Sequence, residues 1–196
     1  MRGLDLGHAV AMLPLVESMR TQLAEVPTFM AGWAMTAAAA GAHDVARSLL
    51  HEQAAVGFDR VRRDLEWLPV IGFFCHACAG VGDVEVAPTL YDLLIANPAR
   101  TVRVGPLAGW WGPTDHHLGA LCRVMGRLDE SQHRLRDALD VCDRLGARPW
   151  EARVRFELAT VVELLGDHDG EADRLRAAGH RIADDLHAPG LRSLVP

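Results

Sequence analysis

Four glycines, Gly41, Gly82, Gly126 and Gly166, recur 41, 44 and 40 residues apart, each closing one apolar helical segment and opening another. Aligned on them, the chain reads "AAAAGAHDVARSLL", "CAGVGDVEVAPTLYDLL", "RVMGRLDESQHRLRDAL" and "VELLGDHDGEADRLRAA", with small or apolar residues at matching offsets. The unit is helix, turn, helix. One such unit cannot bury its own apolar stripe, so neighbouring units must stack into a continuous core. The expected fold is all-α, an α-solenoid of about four helix-turn-helix repeats.

The 196 residues are 49% hydrophobic, enough for one domain spanning 1–196 with a sizeable core. A formal net charge of -6 and scattered arginines disfavour nucleic acid as a partner. All 20 basic residues are arginine. Without lysine there is neither a nucleotide-phosphate loop of the G-x-x-x-x-G-K-[ST] type nor Schiff-base chemistry. The apolar run "AVAMLPLV" lacks the cleavage pattern of a signal peptide, and the longest apolar stretches fall short of the roughly 20 residues that span a bilayer. A cytoplasmic protein without a membrane partner is expected, with Cys75, Cys78, Cys122 and Cys142 reduced.

Apolar periodicity predicts helices over 11–25, 28–40, 43–55, 65–79, 84–96, 114–125, 129–145, 149–165 and 171–186. No run reads as a half-buried strand. The exception to helical patterning is "PARTVRVGPLAGWWGP", about 98–113, expected to be a long non-helical loop carrying Trp110 and Trp111. Loops of that length inside compact domains are uncommon and often functional.

The segment "LGALCRVMGRLDESQHRLRDAL" resembles a tetratricopeptide repeat: Leu118 and Gly119 lie in its first helix, Gly126 at the turn, and Ser131, Leu135 and Ala138 on its second helix. Nine residues after each glycine stand Leu50, Tyr91, Leu135 and Leu175. The longer stretch from "GPTDHHLGALC" to "VVELLGD", with its "LGR-D-E" turn and "LGARPW-AR" segment, is similar to the C-terminal repeat region of large multidomain bacterial ATPase and transcriptional regulators, here read as free-standing. The resemblance implies a helical superhelix whose role is binding or regulation.

Positions 11, 8, 7 and 4 before each glycine follow i, i+3, i+4, i+7 spacing and define one helix face. They are Met30, Trp33, Ala34, Ala37; Ile71, Phe74, Cys75, Cys78; Asp115, Leu118, Gly119, Cys122; and Arg155, Leu158, Ala159, Val162. This is the expected stacking face, with Asp115 and Arg155 ending the stripe. The resemblance implies that the neighbouring row, at 13, 10, 6 and 3 before each glycine, faces a concave groove. Toward the C-terminus that row gains His76, His116, Arg123, Arg153 and Glu163, alongside Met35 and Phe156. With Trp110 and Trp111 these are the candidate ligand-binding residues, suited to a polar ligand or a peptide carboxylate.

No metal and no cofactor is expected. "CHAC" at 75–78 places both thiols on the stacking face, where cysteine acts as a small hydrophobe. His116 and His117 diverge by about 100° on a helix, so only one of them is expected in the groove. The H-E-x-x-H pattern begun by His51 and Glu52 ends in Ala55, "DHDGE" lacks the register of a calcium loop, and no G-x-S-x-G occurs. The leading expectation is a non-enzymatic module binding a peptide, a protein partner or a small effector in its concave groove. The alternative is a small-molecule biosynthetic enzyme using His76 and His116 as acid and base, with the Trp110/Trp111 loop covering the site. A homodimer through an exposed terminal repeat is a further option.

Overall fold

The computed structural model describes residues 7–97, 101–104, 109–167 and 169–193. Two short helices lead, α1 (Ala9–Ser18) and α2 (Arg20–Leu23), followed by four pairs. These are α3 (Pro27–Ala39) with α4 (His43–Ala54), α5 (Trp67–Val81) with α6 (Ala87–Ile95), α7 (Thr114–Val124) with α8 (Leu128–Leu145), and α9 (Arg148–Leu164) with α10 (Glu171–Asp185). Proline occupies the first turn of α3, α6 and α9, where a missing N–H costs nothing.

The periodic glycines make the turns. Gly41, Gly82, Gly126 and Gly166 have φ of 78°, 63°, 74° and 88°, the left-handed region where a side chain is disfavoured. The N–H groups of Ala42, Asp83 and Arg127, one residue beyond the first three glycines, donate to the carbonyls of Ala37, Cys78 and Cys122 at 2.9, 3.1 and 2.8 Å. This closes each first helix in the same way and fixes the angle at which the second leaves.

The stacking face is buried as its spacing predicts. Ile71, Phe74, Cys75, Cys78, Leu118, Cys122, Leu158 and Ala159 are all buried, and α3 packs on α5 and α5 on α7. Its two polar positions are half-buried and paired: Asp115 accepts from Arg134 at 2.9 Å, and Arg155 donates to Glu151 at 2.8 Å. Polar residues end the stripe where ion pairs can hold them.

The segment between the second and third pairs corrects the expectation that no run of the chain forms a strand. Thr101–Val104 (β1) and Gly109–Pro113 (β2) pair antiparallel, with Arg103 opposite Trp110. The cause is local alternation: Val102 is fully buried while Arg103 points outward. A four-residue alternation is too short to stand out from the sequence, and it is decided by what it packs against.

That packing closes the concave side. A Cβ on Gly72, in the row expected to line the groove, would lie 3.3 Å from Trp111 Cδ1 and 3.5 Å from Val102 Cγ1, so glycine there lets the hairpin press against α5. Trp111 stands edge-on to Phe73 and Trp150, with ring centroids 4.7 and 5.5 Å apart. Gly112 completes the fit, since at φ 89° a Cβ would meet the Trp150 ring at 2.6 Å. Only glycine joins Trp111 to α7 over that indole. The open groove expected from the repeat pattern is thus covered here by the chain's own hairpin.

Candidate functional site

Beside the hairpin lies a small, partly open cavity of about 20 Å³, walled by three first helices. From α5 come Cys75, His76, Ala79 and Gly80, from α7 His116, His117, Ala120 and Arg123, and from α9 Arg153 and Glu157. About 10–15 Å³ accommodates one water molecule, so the space fits a head group, not a peptide. His76, His116, Arg123 and Arg153, predicted separately from four offsets, therefore meet in one place.

The expectation that only one of His116 and His117 faces the site is corrected. Both line the cavity, with ring centroids 5.3 Å apart. β2 runs straight into α7, so the hairpin wraps the start of that helix and encloses a second of its faces. His117 Nε2 lies 3.0 Å from the Trp111 carbonyl oxygen. A carbonyl can only accept, which places the proton on Nε2 and leaves Nδ1 as an acceptor.

Burial dominates the chemistry of the three imidazoles. Desolvation pushes His76 down to about 3 and His117 to about 4, with the Arg153 charge adding to both. His116 is held well below the ordinary histidine range by burial, then by His117, His76 and Arg153. All three are neutral at pH 7. His116 is 5% exposed, and its Nδ1 makes no hydrogen bond to the described residues. Its ring is fixed by shape instead, edge-on to Trp150 at 5.3 Å.

The two arginines are held differently. Arg123 donates through Nε to Glu157 Oε1 at 2.6 Å and through Nη2 to the Ala79 carbonyl at 3.4 Å, which ties α7 to both α5 and α9 and commits Nη1 to neither bond. Arg153 is 2% exposed, its guanidinium carbon 5.1 Å from the Trp150 ring centroid. Sequence reasoning missed Glu157, yet its signal was there: it stands four residues after Arg153 on α9, on the same side of the helix.

The remaining candidates lie elsewhere. Trp111 packs against His76, with ring centroids 5.9 Å apart, outside the cavity lining, and Trp110 packs edge-on against Trp150 at 6.1 Å. Met35 is buried in the cluster shared with Val102 and Trp111. Phe156 turns toward α10 and packs on His180 at 5.0 Å. Glu163 is on the surface in a two-pronged ion pair with Arg176. Phe156 stands between Arg153 and Glu157 in sequence but points off their face toward α10, and Glu163 lies more than a turn beyond Glu157.

Among the described residues no group of three histidine, cysteine or acidic side chains is arranged to hold an ion. Cys75 and Cys78 are free and buried, and Cys78 donates to the Asp83 carbonyl at 3.3 Å while burial pushes its thiol up to about 12.

Residues 113–178, which run from the end of β2 into α10, match the family model described as Tetratricopeptide repeat. Those residues are similar to tetratricopeptide repeats, and the chain as a whole is an all-α helical repeat domain. The match covers about a third of the sequence, and in the structure the first two helix pairs continue the same stacking. No curated protein and no solved structure matches the chain. Tetratricopeptide repeats generally mediate interactions between proteins. Among the described residues no helix is long and apolar enough to cross a membrane.

Proposed function

We propose that this tetratricopeptide-like domain is a regulatory binding module in which the stacked repeats meet a protein partner and the cavity beside the hairpin reads a small effector. One observation carries the reading: α5, α7 and α9 converge polar side chains on one small cavity, and Trp111 of the hairpin packs against His76 in its wall. The likeness to the repeat region of multidomain regulators supports the regulatory part.

Closure of the hairpin over His76 and His116 also fits the enzymatic alternative, but the protonation states favour binding. In the ligand-free site all three imidazoles are neutral at pH 7, so proton acceptors are present and an imidazolium forms only against an arriving anion, which serves binding. Ala120 lines the cavity and is 5% exposed, so Ala120→Val fills the space without removing a polar group. In a thermal-shift screen of metabolites, the wild-type domain is expected to gain several degrees with at least one compound at about 100 times its Kd, and Ala120→Val to lose that gain. Compounds that stabilise both proteins equally, or a screen in which none stabilises the wild type, would contradict the proposal.

A further inference from the structure

We propose that the effector is a small organic acid whose carboxylate enters this cavity and is held there by His116 and Arg123, with one proton taken up from solvent for each carboxylate bound. The inference deepens the binding reading and rests on it. Size sets the first limit. About 20 Å³ admits the two oxygens of a carboxylate but not an extended chain, and the hairpin covers the row along which a peptide would lie.

Chemistry sets the second. His116 is buried and lines the cavity, and its Nδ1 has no partner among the described residues, although a polar atom left so in a protein interior is costly. Arg123 brings a guanidinium nitrogen not used in its bonds to Glu157 and Ala79. Guanidinium and imidazolium N–H groups are the strong donors to a carboxylate, and the charge makes each bond shorter and stronger than a neutral one.

The proton follows from what surrounds His116. It shares the cavity with His117 and Arg123 on its own helix, with His76 and Cys75 on α5 and with Arg153 and Glu157 on α9, and its ring packs on Trp150. Glu157, the carboxylate among these groups, is tied to Arg123. In the empty site the charge of Arg153 helps keep His116 neutral. An arriving carboxylate reverses that balance: solvent supplies one proton to the imidazole, the new N–H bond points at the carboxylate oxygen, and the pair is held as imidazolium and carboxylate.

The test is calorimetric titration of the wild-type domain with acetate, propionate and benzoate, beside acetamide, propionamide and benzamide, in two buffers of different ionisation enthalpy at pH 6 and pH 8. The acids are expected to bind at least about tenfold tighter than the matching amides. They are expected to bind tighter at pH 6 than at pH 8, and to take up close to one proton each. His116→Phe, which keeps the ring packing on Trp150, is expected to weaken the acids at least about tenfold and to abolish proton uptake. Ala120→Val gives the same loss of binding with every polar group in place, should the first variant not fold.

A free-acid tripeptide and its C-terminal amide separate the two sources of a carboxylate. A tripeptide acid that binds while the small acids do not overturns the small-molecule assignment. Equal binding of acids and amides, acids unaffected by either substitution, or absence of proton uptake overturns the proposal. Amides that bind and are displaced by Ala120→Val overturn the acid class and leave the binding reading intact.

Discussion

Acidification from pH 8 to pH 5 is expected to lower the unfolding free energy of this domain by about 5 kcal/mol, most of the stability of an ordinary domain. The three cavity imidazoles cause it. In the unfolded chain each titrates near 6.5, whereas in the folded protein His76 and His117 sit at about 3 and 4 and His116 lies well below its usual value. Below pH 6.5 the unfolded state therefore binds more protons. Stability falls as the pH falls, and the loss levels off only when the folded imidazoles themselves protonate, near pH 4 and below. At pH 5 the difference is about 2 kcal/mol for each fully buried ring, and less for His76, which retains partial exposure.

Urea unfolding followed by tryptophan fluorescence at half-unit pH intervals measures this directly. His116→Phe is expected to flatten the profile by about one ring's share. His133→Phe, whose side chain is 75% exposed, is expected to leave it unchanged. A profile flat between pH 6.5 and 5 would falsify the burial of neutral imidazoles on which the site description depends.

Arg123→Met is expected to destabilise the domain by about 3–5 kcal/mol, because it strips a buried carboxylate of its ion-pair partner. Arg123 and Glu157 lie 2.6 Å apart with side chains only 13% and 5% exposed, and the same guanidinium bridges to the Ala79 carbonyl. The double substitution Arg123→Met with Glu157→Met is expected to recover most of the loss, since two apolar side chains of similar volume replace a pair whose desolvation is costly. Urea midpoints of the wild type and the two variants decide it. A single substitution costing under about 1 kcal/mol, the range of exposed pairs, contradicts the structural role assigned to this bridge. So does a double variant less stable than the single.

The parts of this fold legible in the sequence are those set by local rules. Glycines with positive φ punctuate the repeats, and i, i+3, i+4, i+7 spacing identified a stacking face on which even the exceptions, Asp115 and Arg155, proved to be paired at its edge. The same ruler placed Cys75, Cys78 and Cys122 in the core and brought out His76, His116, Arg123 and Arg153. Contacts across long separations were not legible. Whether "TVRV" forms a strand depends on Gly72, about thirty residues earlier, leaving room for Trp111 and Val102. The fit of Gly112 over Trp150 joins segments almost forty residues apart.

His117 was missed for a related reason. A helical wheel assigns each residue one outward direction, and nothing in it shows that the strand leading into α7 would curl round to enclose a second face. Phe156 and Glu163 show the opposite error. They share a row with Arg153, but Phe156 turns off the Arg153–Glu157 face to pack on His180 of α10, and Glu163 lies beyond the cavity at the surface, paired with Arg176.

The central claim is that recognition happens in the cavity beside the hairpin. Long-range ¹H–¹⁵N spectra of the histidine rings, recorded while a compound selected in the thermal-shift screen is added, test it most directly. The account predicts that the His76, His116 and His117 resonances, starting from neutral tautomers, move together and saturate with the binding curve, while those of exposed His43, His51 and His133 stay in place. Saturable binding that shifts the exposed rings and leaves the three cavity rings unmoved would contradict it.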